Sequence, residues 1–432
     1  MEIRRKKKKL VSDKFIHAIV PLGGCALVLF FATLLCLRAS LDNRLSGTVI
    51  EDPLYQLNNR QIYSDSADDD HYTDPGSMDK PLTPLEKSRV EKMRLPRAIE
   101  TVDANLPYDI HRCPSVIPKN YPYAWNVLDV LKNWNPDETE IPDKIYQGLC
   151  AIDWSDLSQR KIAVHYRKNE VPFIVKNHSV VWGAADRWSD YNYLHEKLGD
   201  EAYRNEHVKG NHMMYWKLRG RRQGPSGWKP PTDDRDLAFP DWYQKAKEIE
   251  DDPDTSTTAE HYYLRLNGGK GDMSMNEWLF DELTLFEPKV QNDVFMVHPP
   301  SARGINCRLG SRGIIAEAHY DESRNFILIL QGRKRYVLAH PDQCINMELY
   351  PMGHPSGRHS SINWSDPESW MNGGKHFRNG MVNEVLLDAG DGLYLPTFWF
   401  HFIVSLSLNY QCNARSGTTF EYLDHIKKCG FK

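Results

Sequence analysis

Two histidines and one aspartate, His319, Asp321 and His401, are the side chains best suited to chemistry in this 432-residue chain. His319 and Asp321 are two residues apart, and on a β-strand side chains at positions i and i+2 point to the same face. A second histidine from another strand would complete the set that binds non-haem Fe(II) and leaves coordination positions open. His401, which follows an aromatic run, is the predicted third ligand. The alternative is that His319 and Asp321 are a surface pair without a ligand role.

Short apolar runs between His319 and His401 predict the strands that must position these side chains. They are residues 325–330 (NFILIL), 335–338 (RYVL), 384–387 (EVLL) and 393–395 (LYL), and a turn rich in Gly and Asp separates the last two. Short strands joined by turns of this kind predict an antiparallel barrel or sandwich.

Upstream of these strands the pattern is mixed. Residues 171–175 predict a strand, and residues 193–198 predict a helix that ends at the following glycine. The polar stretch 219–258 lacks apolar periodicity, and it is predicted to be a surface loop. His354 and His359 lie in a segment rich in Gly, Pro and Ser, where solvated histidines are expected rather than ligands.

The segment 319–341 (HYDESRNFILILQGRKRYVLAHP) resembles the jumonji-type, cupin-like hydroxylases, and most of all their asparaginyl hydroxylase members. The likeness continues through 391–396 (DGLYLP) to His401, is weaker over 172–199, and covers residues 154–420 in all. It implies a mainly β fold, a double-stranded β-helix of the jelly-roll or cupin type with flanking helices. It also implies a dioxygenase that uses Fe(II), 2-oxoglutarate and dioxygen.

The same resemblance implies roles for residues beyond the three metal ligands. Lys334 would pair with the distal carboxylate of 2-oxoglutarate, and Tyr263 would donate a hydrogen bond to it. Asn325 and Asn413 would lie near the cosubstrate. At Ala316 the family member that the chain most resembles has a threonine, so one hydrogen bond, about 1 kcal/mol, would be lost here. The alternatives are that Lys334 is an exposed strand lysine and that Tyr263 only packs in the core.

The N-terminal region predicts a membrane anchor. Residues 15–37 are an almost uncharged apolar run, and a bilayer core needs about 20 residues. Basic residues in 1–14 predict a cytosolic tail, with the rest of the chain in the endoplasmic reticulum or Golgi lumen or outside the cell. We therefore expect a single-pass type II membrane protein with a flexible stalk over 38–104, a lead-in segment over 105–153 and a catalytic domain over 154–432. A cleaved signal peptide is the main alternative.

The net charge of the chain, its sequons and its cysteines indicate which partners it could bind and which cellular compartment it could occupy. A formal net charge of -4 gives no electrostatic basis for binding nucleic acid. Asn177 and Asn363 begin N-glycosylation sequons. Six cysteines follow the predicted anchor, an even number that permits disulfides but leaves their pairing open: Cys113, Cys150, Cys307, Cys344, Cys412 and Cys429.

These features together predict an Fe(II)- and 2-oxoglutarate-dependent hydroxylase that acts on a protein or peptide side chain in the secretory lumen. A small-molecule or glycan substrate stays open, and histone demethylation is disfavoured because the anchor separates the domain from chromatin. The rival from another class is a cupin-like binding module without catalysis, which release of succinate would distinguish from an enzyme.

Overall fold

The computed structural model describes residues 81–96, 98–102, 105–218, 224–269, 276–286, 302–372 and 374–431. The predicted cytosolic tail and membrane anchor, residues 1–37, lie outside these ranges. Within the ranges that are described, no helix combines the length and the apolar character needed to cross a membrane. The anchor therefore stays a prediction.

Strands dominate the described chain, and short helices flank them. The strands are β1 (Glu100–Thr101), β2 (Trp125–Asn126), β3 (Lys144–Ile145), β4 (Ala151–Asp153), β5 (Phe173–Lys176), β6 (Ala202–Lys209), β7 (His212–Met213), β8 (Asp233–Ala238), β9 (Glu260–Gly268), β10 (Ala302–Gly310), β11 (Ile315–Tyr320), β12 (Asn325–Gln331), β13 (Arg333–Ala339), β14 (Met381–Asp388), β15 (Gly392–Leu395), β16 (Phe400–Ser405) and β17 (Asn409–Ser416). The helices are α1 (Pro84–Met93), α2 (Val127–Asn133), α3 (Leu157–Lys168), α4 (Ser179–Trp188), α5 (Tyr191–Leu198), α6 (Phe239–Asp251), α7 (Trp278–Glu282), α8 (Pro367–Asn372) and α9 (Leu423–Lys428). The strands predicted from the apolar runs and the helix ending at the glycine are confirmed.

Two large sheets enclose the core. A nine-stranded sheet has the order β4-β5-β15-β12-β17-β10-β9-β6-β8, and a six-stranded sheet has the order β2-β14-β13-β16-β11-β7. Ile327 and Leu393 of the first sheet share one buried cluster with Leu338 and Phe402 of the second. The strands β12, β17 and β10, and likewise β13, β16 and β11, pair antiparallel with their neighbours, apart from the parallel contact of β11 with β7. The predicted mainly β fold of the cupin type with flanking helices is confirmed.

Residues 105–153, predicted as a separate lead-in segment, pack against this fold. Val127, Leu131 and Trp134 of this region belong to the same buried cluster as the strands. Strand β4 pairs in parallel with β5 at the edge of the nine-stranded sheet. The apolar spacing of α2 buries one of its faces against the barrel.

The predicted stalk over 38–104 extends too far, because helix α1 is folded. Thr83 and Glu86 form a capping box at its start, in which each side chain accepts a hydrogen bond from the other residue's backbone N–H. Val90 is fully buried, and Arg89 forms an ion pair of 2.6 Å with Asp186 of α4. The polar composition of the region concealed a helix whose start signal, TPLE, is present in the sequence.

The polar stretch 219–258 is also more ordered than a surface loop. Its described part contains β8 and α6, and α6 buries Phe239, Trp242, Ala246 and Ile249. These residues are three or four positions apart, which is the spacing of one helix face. The charged residues between them hid that periodicity.

The cysteine pairing that the sequence left open is resolved. Disulfides join Cys113 to Cys150, Cys307 to Cys412 and Cys344 to Cys429. Cys307 and Cys412 lie directly opposite each other on β10 and β17. All six cysteines after residue 38 are therefore oxidised.

Candidate metal centre and cosubstrate pocket

The three predicted metal ligands meet between β11 and β16. His319 lies near the end of β11, directly opposite His401 on β16, and Asp321 follows the last residue of β11. The strand pairing is irregular between Ala316 and His319, a distortion that re-aims side chains. One ligand atom from each of the three residues lies within 4.8 Å of the others. Nε2 of His401 is 4.0 Å from Oδ2 of Asp321.

Backbone carbonyls fix which imidazole nitrogen faces the centre. Nδ1 of His319 is 2.6 Å from the carbonyl oxygen of Glu317, and Nδ1 of His401 is 3.1 Å from that of Trp399. A carbonyl only accepts hydrogen bonds, so each Nδ1 carries the proton and donates it. Each Nε2 therefore keeps a free lone pair, which is how protein scaffolds prepare histidines for a metal.

The charges around the centre favour the protonation states of metal ligands. Burial alone would raise the pKa of Asp321, but the charge of Arg415 and the neighbouring imidazoles hold that pKa below its ordinary value. Nη2 of Arg415 donates to Oδ2 of Asp321 at 2.5 Å. Burial lowers the pKa of His401, and it lowers the pKa of His319 well below its ordinary value. The site thus presents two neutral imidazoles and a carboxylate, as divalent metal binding requires.

A further histidine, His359, packs against the metal ligand His319. His359 is buried and stacks on His319, with ring centroids 4.9 Å apart and planes inclined by 23°. Burial lowers the pKa of His359 to about 3. Its prediction as a solvated loop histidine was wrong, because the loop folds back against β11. His354 stacks on Tyr350 instead, at 4.2 Å.

The predicted cosubstrate residues Lys334 and Tyr263 lie in contact inside the barrel. Nζ of Lys334 donates to the hydroxyl oxygen of Tyr263 at 2.7 Å, across the gap between the two sheets. Lys334 is 1% exposed and Tyr263 is 6% exposed, so the alternative of an exposed strand lysine is wrong. Tyr263 combines packing with a polar contact, and its role in cosubstrate binding stays a prediction.

The two predicted asparagines also come together. Nδ2 of Asn413 on β17 donates to Oδ1 of Asn325 on β12 at 2.9 Å, and both side chains are buried. Both asparagines lie in the nine-stranded sheet. Asn325 is directly opposite Arg415, the residue that binds Asp321, and Asn413 precedes Arg415 by two residues on β17. Ala316 places no polar side-chain atom in this region.

Sequence reasoning did not identify Arg415, the hydrogen-bond partner of Asp321, as a site residue. Arg415 follows Asn413 by two positions, so strand alternation alone would have placed it on the same face.

Comparison with known proteins agrees with this geometry. Residues 159–416, more than half of the chain, match the Cupin-like domain family. Jumonji C domain-containing protein 5 of Drosophila melanogaster is 33% identical over 245 residues, which cover 54% of this chain and 51% of that protein. Lysine-specific demethylase JMJ31 of Arabidopsis thaliana is 26% identical over 131 residues (30% and 24%), and tRNA wybutosine-synthesizing protein 5 of Mus musculus is 33% identical over 98 residues (23% and 29%). The chain therefore matches about a quarter to about half of the length of these relatives.

Proposed function

Because this chain belongs to the cupin-like domain family, whose jumonji-type members use Fe(II) and 2-oxoglutarate, we propose that it is a dioxygenase of that type. Its iron ligands are His319, Asp321 and His401. Its reaction is the hydroxylation of a protein side chain, coupled to conversion of 2-oxoglutarate and dioxygen into succinate and carbon dioxide.

The observation that carries this proposal is the convergence of the three ligand atoms within 4.8 Å, with both imidazole Nδ1 atoms held by carbonyls. A surface pair of His and Asp has no need of such support. Two nitrogens and one oxygen on one side of a metal suit ferrous iron and leave coordination positions for cosubstrate and dioxygen.

The polar side chains buried between the sheets suit the cosubstrate. Within the described residues, no carboxylate forms an ion pair with Lys334, although the lysine is buried and donates only to the tyrosine hydroxyl. An unpaired buried cation is costly, and the distal carboxylate of 2-oxoglutarate supplies the missing partner. Bound iron with 2-oxoglutarate supplies the oxidising chemistry. The chain's own residues hold the metal, orient the cosubstrate and shield both from bulk water.

We place the domain in the secretory lumen or outside the cell, on a type II anchor over residues 15–37. Three disulfides support this placement, because such bonds persist in oxidising compartments. The sequon residues Asn177 and Asn363 are both exposed, as glycosylation requires. A small molecule or a glycan is the alternative substrate, and a binding module is the alternative function.

The experiment that tests the proposed function measures succinate. The full chain is supplied with Fe(II), 2-oxoglutarate and dioxygen, with and without a pool of secretory-pathway peptides. We expect succinate from the parent and from His354→Ala, whose histidine lies outside the triad, but none from His401→Ala. Equal release by the parent and His401→Ala would contradict the triad. Iron binding by the parent without any succinate would favour the binding module.

Replacing Lys334 with methionine should weaken 2-oxoglutarate binding by about 10- to 150-fold. Hydrogen bonds to charged groups contribute about 1.5–3 kcal/mol, and methionine keeps the volume without the charge. The measurement is calorimetric titration of 2-oxoglutarate into the protein loaded with Mn(II), which does not turn over. Unchanged affinity in Lys334→Met would show that the cosubstrate carboxylate binds elsewhere.

The same lysine predicts a pH dependence. Burial, and then the nearby charge of Arg308, lower the pKa of Lys334 to about 7. Tyr263 and Tyr336, which also face the pocket, have raised pKa values and stay neutral at this pH. Binding a carboxylate requires the protonated amine, so 2-oxoglutarate affinity should be level below pH 7. Above it, affinity should fall by up to about tenfold per pH unit. Lys334→Met should lack this fall, and a level profile in the parent up to pH 9 would contradict the prediction.

A further inference from the structure

We propose that Arg308 is a second cation of the cosubstrate pocket and binds the distal carboxylate of 2-oxoglutarate together with Lys334. This inference rests on the proposed function and deepens it, because it assigns a residue outside the predicted cosubstrate set. It also defines the cosubstrate class as 2-oxo acids with a second, terminal carboxylate.

Strand pairing puts Arg308 in the middle of the nine-stranded sheet. Its strand β10 lies between β9 and β17, and Arg308 is directly opposite Arg265 on one side and Gln411 on the other. Residues that are directly opposite in neighbouring strands point to the same face of the sheet. The side chains of all three residues therefore share one face.

That face is the interior of the barrel. The hydroxyl of Tyr336, in the six-stranded sheet, donates to Oε1 of Gln411 at 2.5 Å. Tyr263, two residues before Arg265 on β9, receives a hydrogen bond from Lys334, which is also in the six-stranded sheet. Arg308 thus projects into the space between the sheets, where it keeps some solvent-accessible surface.

The position of Arg308 relative to the predicted iron ligands follows from its pairing with β17. Arg415 binds Asp321 at one end of the inner face of β17. Gln411 lies four residues earlier on the same face, opposite Arg308. Arg308 therefore lies opposite a position on β17 that is four residues from Arg415, on the side away from the metal ligands.

The position of Arg308 relative to Lys334, the predicted carboxylate-binding residue, follows from the nearby Gly310. Gly310 is two residues after Arg308, and the ring of Tyr263 lies so close that a Cβ on this glycine would meet it at 2.9 Å. The hydroxyl of Tyr263 binds Lys334. Along the strands, Arg308 consequently lies between the metal ligands and Lys334. A cosubstrate that binds the metal at one end and Lys334 at the other must pass beside it.

Arg308 lacks a counter-ion within the part of the chain that the structure describes. Glu206, whose charge acts on Arg308, forms its ion pair with Arg265 instead. Arg308 donates to the carbonyl of the adjacent Cys307, at 3.1 Å. Burial lowers the pKa of Arg308 to about 10, and the charge of Arg265 adds to this effect. Two enclosed cations without a carboxylate partner, Arg308 and Lys334, form a site for an anion.

The chemistry of arginine suits this role. A guanidinium presents a planar fork of N–H donors that matches the two oxygens of a carboxylate, whereas an ammonium acts as a point charge. Ala316 stands where the resemblance implies a threonine hydroxyl, so one donor is missing here. Arg308 supplies the replacement from a different strand.

The test is calorimetric titration of the Mn(II)-loaded full chain and its variants. Arg308→Gln should raise the dissociation constant of 2-oxoglutarate by about 10- to 100-fold, and Arg308→Lys by less, because it keeps the charge but loses the fork. Arg312→Gln is the matched control, since Arg312 pairs with Glu250 outside the pocket. It should bind 2-oxoglutarate as the parent does.

Two further measurements separate a direct contact from a folding defect. The dissociation constant of 2-oxopentanoate, which lacks the distal carboxylate, should be the same for the parent and Arg308→Gln. Mn(II) affinity should also be unchanged. If Arg308→Gln and Arg308→Lys bind 2-oxoglutarate as tightly as the parent, the inference is overturned while the proposed function stands. If the metal-loaded parent itself does not bind 2-oxoglutarate, both are overturned.

Discussion

Asp321→Ala is expected to remove stoichiometric iron binding and 2-oxoglutarate turnover together. The substitution deletes one of three ligands, and it also frees the Arg415 guanidinium that Oδ2 of Asp321 now neutralises at 2.5 Å. An unpaired cation would then repel the metal. Loss of an outer-shell partner typically costs about 10- to 100-fold in affinity or activity. Loss of a ligand beside a newly unpaired arginine should exceed about 100-fold.

The measurement is iron content after gel filtration, together with succinate release. Asp321→Asn keeps the size of the side chain but not its charge, and it should also lose most activity. Asp424→Ala is the matched control, because Asp424 is exposed on helix α9 and should change neither quantity. Iron content and turnover in Asp321→Ala equal to those of the parent would refute the ligand assignment.

Arg335→Met is expected to lower the free energy of unfolding by about 3–5 kcal/mol. Nε of Arg335 is 2.7 Å from Oε2 of Glu384, and both side chains are at most 1% exposed. The guanidinium also donates to the carbonyl of Trp134 at 2.8 Å and lies 4.4 Å from the centroid of its ring. Methionine fills part of the space but leaves the buried Glu384 carboxylate without its counter-ion.

Chemical denaturation of the parent and of the variants measures this loss. The double variant Arg335→Met/Glu384→Leu should recover much of it, because an apolar pair avoids the cost of burying charge. Recovery should be incomplete, since Glu384 also accepts a hydrogen bond from the backbone N–H of Tyr146 at 2.6 Å. A loss below about 1 kcal/mol in Arg335→Met, the size of a surface ion pair, would contradict a buried role.

Local sequence patterns predicted the elements around the site well. The two-residue spacing of His319 and Asp321 depends on strand alternation, and β12 to β15 contain short, continuous apolar runs. Both are patterns of neighbouring residues. His401 could be proposed as the third ligand because it follows a strand and a turn in the pattern of the resembled family. The structure then brings the three side chains together through the pairing of β11 with β16.

Other features could not be predicted from the sequence, because they depend on pairing between distant strands or lie in segments of mixed composition. The partners of the six cysteines and the contact of Lys334 with Tyr263 depend on how distant strands align, which no local pattern encodes. Helices α1 and α6 lie in polar stretches, where charged residues hid a capping box and an apolar face. Arg308, which we propose as a second cosubstrate-binding cation, was missed because it lies on a strand that the sequence did not predict, and an isolated arginine is expected at the surface.

The most direct test of the iron and 2-oxoglutarate assignment is the visible absorption of the Fe(II)-loaded full chain, measured without oxygen as 2-oxoglutarate is added. Chelation of Fe(II) by the keto and carboxylate oxygens of a 2-oxo acid gives a charge-transfer band that neither component shows alone. We predict that the parent develops this band with saturation, and that His319→Ala, Asp321→Ala and His401→Ala do not. A parent that binds both Fe(II) and 2-oxoglutarate but develops no band would contradict a shared site.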